Sequence, residues 1–220
     1  MTSPAAPPRK LSGADEESLT EWLQLHSREV TWAVVAIAVL VSGFWFYERS
    51  QSIKAQRAEN AYFQARQTVA SGNLPQAVSE LQKVVNRYEG TYAGTQAALS
   101  LAQAQYDQKK YKEGIDALKK AEAKAPGDFR DQIHVLEAAG YEELKDFLNA
   151  AEQYKLAANA TRFPADKAVF QGEAAKNYAA AGKKAEAKAI WTELAKDEGS
   201  PMAAEARIRL GELSADPMKI

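Results

Sequence analysis

One phrase recurs four times between residues 73 and 191 of this chain, and it leaves few folds open. The copies are NLPQAVSEL, KYKEGIDAL, DFLNAAEQY and KKAEAKAIW, with Ala77, Gly114, Ala150 and Ala187 at the matching position, spaced by 37, 36 and 37 residues. Three further features keep the same ruler. A small residue recurs at Ala65, Ala102, Ala138 and Ala175. A large apolar one recurs at Leu81, Leu118, Tyr154 and Trp191, and a turn residue at Gly72, Lys109, Lys145 and Gly182. A period in this range marks a supersecondary unit that stacks on copies of itself.

The residue types say what that unit is. Two helices joined by a short turn need small side chains where they approach and a large one to fill the gap to the next hairpin. Gly72 and Gly182 suit the left-handed conformation that ends a helix. Pro75 fits the first turn of a helix, where its missing N–H is no loss. Pro126, Pro164 and Pro201 fall in the linkers, where a helix should stop. No hairpin buries its apolar face alone, so the stack is the folding unit. After Pro201, MAAEARIRLGEL reads as a lone helix that caps the last apolar face. The expected fold is all-α: a solenoid of about four helical hairpins plus a C-terminal capping helix.

A different signal precedes the repeats. Val30 to Tyr47 reads VTWAVVAIAVLVSGFWFY, 18 residues without a charge. As a helix it is about 27 Å long, close to the roughly 30 Å hydrocarbon core of a bilayer. Trp32 marks one end and Phe44, Trp45, Phe46 and Tyr47 the other, as interfacial aromatics do. A buried core helix rarely runs so far without a charge. A cleaved signal peptide would have a shorter leader, a shorter apolar run and a small-residue cleavage site. The reading is an uncleaved single-pass anchor. The expected domains are a tail at 1–29, a transmembrane helix at 30–47 and a repeat domain at 48–220. Lys10 and Arg28 flank the anchor on one side, and Arg49, Lys54, Arg57 and Arg66 on the other. Taken literally, the positive-inside rule puts the C-terminal side in the cytoplasm, but the rule weakens where the flank belongs to a long domain. Within the tail, Leu19, Trp22, Leu23 and His26 recur at helical spacing behind a cluster of acids. That stretch is an interfacial helix, a docking peptide or an extension of the anchor.

Charge and residue inventory exclude several functions. The net charge is -1, and residues 48–220 carry 25 Lys/Arg against 24 Asp/Glu. Nucleic-acid binding calls for a basic excess that is missing. Without cysteine there is no thiolate metal site, Cys nucleophile or acylated Cys. His26 and His134 lie on opposite sides of the apolar run and cannot share a site. No glycine-rich phosphate loop or nucleophile elbow occurs. Acid pairs such as Glu142–Glu143 read as solvated helix surface. We therefore expect no enzyme activity, no cofactor, no metal and no small-molecule substrate.

The repeat resembles the tetratricopeptide repeat. The matches are Ala102, Tyr111, Gly114, Leu118, Ala121 and Pro126 in the second unit, and Ala138, Tyr141, Phe147, Ala150, Tyr154 and Ala157 in the third. Ala175, Tyr178, Ala187 and Trp191 carry it in the fourth. In such stacks the first helix of each hairpin lines the concave face. That register implies a partner-binding surface of Tyr62, Arg66, Val69, Leu99, Gln103, Tyr106, Glu142 and Lys176, with Val135 and Val169 beside them. The surface lacks a dense Lys/Arg clamp for a terminal carboxylate.

The order of acidic tail, anchor, degenerate hairpins and closing helix is similar to the YfgM-type family of bacterial inner-membrane proteins. EESLTEWLQLHSREV, TYAGTQAALSLAQ and GKKAEAKAIWTELAK carry that likeness. The resemblance implies a single-pass inner-membrane protein with its repeats in the periplasm. It also implies association with Sec translocon subunits and a periplasmic chaperone, as a non-catalytic scaffold. The alternatives are an adaptor in envelope assembly or cell division, or a regulatory subunit of an enzyme complex.

Overall fold

The structure, a computed structural model, describes Trp22, Gln24 and residues 26–214. Most of the amphipathic stretch read into the tail lies outside the described residues. Where it is described, the His26 and Trp22 rings stack with centroids 4.9 Å apart. Two compact units make up the chain, Met1–Ser52 and Ile53–Ile220.

Helix α1, Ser27–Ala70, contains the whole apolar run. In its first unit the side chains stand clear of protein, with Trp32, Leu40 and Phe46 exposed. Its most apolar 18 residues have a mean hydropathy of 2.0, and none is buried. The chain thus has one helix long and apolar enough to cross a membrane among the described residues.

The second unit is a run of hairpins. The C-terminal part of α1 shares a core cluster with α2 (Leu74–Arg87), Ala58 and Ala65 lying with Leu81, Val84 and Val85, and α3 (Tyr92–Asp107) pairs with α4 (Tyr111–Glu122). A 3₁₀ turn at Gly127–Phe129 leads into α5 (Arg130–Glu143), which pairs with α6 (Phe147–Ala160). The fourth pair is α7 (Pro164–Ala180) with α8 (Lys184–Lys196), and α9 (Ala203–Ser214) packs on α8 as a single closing helix. The expected all-α stack of four hairpins and a cap is what forms. One proline acts differently from the sequence expectation. Pro164 begins α7 rather than ending α6, since an N1 proline has no bond to lose.

All sixteen ruler positions fall where the hairpin argument requires. Ala77, Gly114, Ala150 and Ala187 are buried. So are Ala65, Ala102, Ala138 and Ala175, and Leu81, Leu118, Tyr154 and Trp191. The four turn residues all have positive φ: 78° at Gly72, 61° at Lys109, 60° at Lys145 and 77° at Gly182. At the second turn Lys109 donates its N–H to the Tyr106 carbonyl, and Lys110 reaches back to the Gln105 carbonyl. Lys145 with Asp146, and Gly182 with Lys183, repeat that pair of bonds. This is the Schellman closure, which satisfies the last carbonyls of the first helix and aims the chain into the second. The residue after each turn residue then caps the second helix, and Asp146 does so with its side chain, accepting from the Asn149 N–H.

The core is segmented rather than central. Leu81, Val84, Val85 and Leu101 fill the first junction, and Ile115, Leu118, Phe129 and Ile133 the second. Tyr154 and Trp191 anchor the later ones. Tyr106 binds the second hairpin to the third. Its ring lies against Gly114 and its hydroxyl end against Gly140, and it donates to the Leu136 carbonyl at 3.0 Å. Each unit thus leans on its neighbours, the nearest-neighbour arrangement of a solenoid.

Candidate functional site

The first helices of successive hairpins lie side by side, because every Schellman turn sends the second helix behind the first. Between α3, α5 and the start of α7 they leave a groove of about 590 Å³. Helix α3 contributes Leu99, Ser100 and Gln103. Helix α5 contributes Asp131, Gln132, Val135 and Leu136, and the start of α7 adds Phe163, Asp166 and Phe170. Phe163 precedes Pro164, which holds the preceding residue extended; its φ and ψ are -97° and 118°. The ring is thereby left 52% exposed at the groove. A half-exposed aromatic among aliphatic side chains, amides and two carboxylates suits a protein surface better than an anionic metabolite.

The residues read from sequence as the binding surface divide among several environments. Leu99 and Gln103 line the groove with Val135. Tyr62 reaches its edge, its hydroxyl 2.9 Å from the Ser100 hydroxyl. Arg66 lies over the Tyr62 ring, 5.9 Å from its centroid. Val69 packs against the first core cluster and Tyr106 is buried in the second junction. Glu142 is tied into an interhelix network: Asn177 donates to it at 2.6 Å, and the Tyr154 hydroxyl at 3.4 Å. Burial pushes the Tyr154 phenol up, and the Glu142 charge reinforces the shift. Lys176 pairs with Glu173 at 3.0 Å and with Glu205 of α9 at 3.1 Å. Val169 is partly exposed on α7.

Sequence reasoning missed Asp131, Phe163, Asp166 and Phe170. The ruler position of Tyr62, Leu99 and Val135 falls in the fourth unit on Gly172, which is buried under Met202 and Trp191. The fourth hairpin instead adds to the groove from its first two turns. Proline after an exposed aromatic was the available signal for Phe163.

Behind the groove lies a polar cluster. His134 is buried, with Nδ1 2.9 Å from Gln153 Oε1 and Nε2 3.4 Å from Glu122 Oε1. One turn on, Glu137 is 1% exposed and its Oε1 has no hydrogen-bond partner. Burial pushes its carboxyl up to about 7; Glu122 adds to the rise and Lys119 opposes it. A shallow depression of about 510 Å³, lined by Lys119, Glu122, Arg130 and His134, opens there. Among the described residues no three His, Asp or Glu side chains converge as metal ligands.

The family match agrees with this geometry. Residues 20–213 match the family described as the tetratricopeptide repeat-like domain. The chain belongs to that family. Among solved structures, this tetratricopeptide-like chain is similar to the nearly identical TPR-like repeats of a proposed kinesin light chain from Podosopora anserina. The TM-score is 0.54 at 18% identity, over 72% of this chain and 86% of that one. A single-substitution form of the same protein gives 0.54 and 18%, over 72% and 85%. A thermophilic TPR protein in Thermus thermophilus gives 0.46 and 19%, over 84% and 95%. At these identities the first two likenesses bear on the fold alone. No curated protein matches the chain. The tetratricopeptide-like fold is in general a non-catalytic, protein-interaction fold.

Proposed function

We propose that this protein is a membrane-anchored interaction scaffold of the bacterial inner membrane, with its tetratricopeptide-like hairpins in the periplasm. It acts there as an ancillary adaptor between the Sec translocon and a periplasmic chaperone. The observation that carries the scaffold reading is the groove between α3, α5 and α7, where Leu99, Val135 and the half-exposed Phe163 stand beside neutral amides. At the later junctions Glu142 is occupied by Asn177 and Lys176 by Glu205. The anchor reading rests on the charge-free run of α1, whose side chains have no protein around them. An apolar face of that kind is stable in lipid and not in water. The translocon and chaperone assignment rests on the resemblance of the whole-chain plan.

Two experiments test the proposal. Affinity purification of the full chain in mild detergent, followed by mass spectrometry, should recover translocon subunits and a periplasmic chaperone; recovery of neither refutes the adaptor role. In spheroplasts, added protease should degrade residues 53–220 before the membrane is lysed. Protection until lysis would place the hairpins in the cytoplasm.

A further inference from the structure

The side chains that line the groove carry one sign of charge, and the cation Arg162 stands beside them, its guanidinium over the Phe163 ring 5.2 Å from its centroid. The groove's ionisable members are Asp131 and Asp166, and its other polar members, Ser100, Gln103 and Gln132, are neutral. Asp131 accepts the N–H of its neighbour Gln132 through Oδ1 at 2.8 Å, a bond that does not use Oδ2. Some carboxylates elsewhere on the stack stand beside a lysine, as Glu80 does with Lys83, Glu89 with Lys124 and Glu152 with Lys155. Among the described residues neither Asp131 nor Asp166 takes part in an ion pair.

We propose that the groove takes a segment of a partner protein in which Lys or Arg stands next to bulky apolar side chains. The inference rests on the groove being a protein-docking surface, and it names the chemistry of what docks. The apolar side chains cover Leu99, Val135 and Phe163 and remove them from water. The cation is attracted to Asp131 and Asp166 through charge-assisted hydrogen bonds, which are stronger than neutral ones. Gln103, Gln132 and Ser100 supply donors and acceptors for the segment's backbone. A segment with acids at the same place meets two carboxylates of like charge, so the pair also rejects wrong partners. This preference is the opposite of a basic clamp that holds an acidic or C-terminal carboxylate.

The test uses the full chain in nanodiscs of zwitterionic lipid, titrated into short fluorescein-labelled peptides. The peptides share a Leu-Phe-Leu core and are flanked by Arg, by Ser or by Glu. Anisotropy should show the Arg peptide binding about tenfold tighter than the Glu peptide, with the Ser peptide between, as expected for two partly screened charge pairs. Asp131→Asn with Asp166→Asn should erase that ranking and leave the Ser peptide's affinity unchanged. Phe163→Ser should weaken all three peptides alike. If Arg and Glu peptides bind equally, or the double Asn variant keeps the preference, the charge inference is wrong while the docking groove stands. If no peptide binds, or Phe163→Ser changes nothing, both are wrong. Two outcomes would name a different occupant and overturn the inference. One is an affinity gain on deleting residues 215–220, and the other is a dimer that dissociates in the double Asn variant.

Discussion

Lys109 and Lys145 should be better as glycine. Each is the left-handed residue of a Schellman turn, with φ of 61° and 60°, at positions where the first and fourth turns carry glycine. An L-residue with a Cβ in that conformation is disfavoured by about 1–2 kcal/mol. Glycine removes the strain but adds unfolded-chain freedom worth about 0.4–1 kcal/mol. The net gain should be about 0.5–1 kcal/mol per site. Lys145 should give the smaller one, because its ammonium lies 6.0 Å from the Phe147 ring centroid and that exposed contact is lost. The two turns share no hydrogen-bond partner, so the gains should add. For a domain of this size each kcal/mol moves Tm by about 2–4 °C, so the double variant should melt about 2–8 °C higher. Circular dichroism of the full chain in detergent measures this. Lys→Ala at both turns is the control, since it removes the side chain and keeps the Cβ. If the alanine pair stabilises as much as the glycine pair, or if glycine is neutral at Lys109, backbone strain is not the cause.

Trp191 is 1% exposed at the last junction, so Trp191→Ala should destabilise the stack by about 3–5 kcal/mol in denaturant unfolding. A Cβ on Gly140 would meet the Tyr106 hydroxyl end and come within 2.8 Å of Ile115 Cγ1. Gly140→Ala should therefore destabilise by about 1–3 kcal/mol, and Tyr106→Phe in the same chain should recover part of it in a thermal melt. Glu137, pushed up to about 7 from 4.5, binds its proton more tightly in the folded state, so its contribution to stability is full below 4.5 and is lost as pH rises through about 7. The difference in unfolding free energy between wild type and Glu137→Gln, taken at pH 4.5 and pH 8, should then change by up to about 3 kcal/mol in favour of the variant at the higher pH. A difference independent of pH would show that the carboxyl is hydrated.

The hairpin, its number of copies and its turn positions are all legible in the order of residues. Those features are local: a small residue, a large residue and a left-handed turn recur within about 36 residues, and their periodicity survives a poor match at any one copy. The apolar helix is legible for the same reason, since length and absence of charge are properties of one segment. Three other features arise only when the hairpins pack. The groove joins Leu99, Val135 and Phe163 from three hairpins, and the ruler holds no hint that Gly172 drops out while Phe163 and Phe170 come in. Tyr106 has the register of a surface residue, yet two glycines from different helices open space that buries it. Glu137 looks like one more acid on a polar helix; packing of the neighbouring hairpin takes its carboxylate from water. Where the ruler governs one hairpin, the residues in order suffice. Where three hairpins meet, the side chains that share a space are set by packing, which no single period encodes.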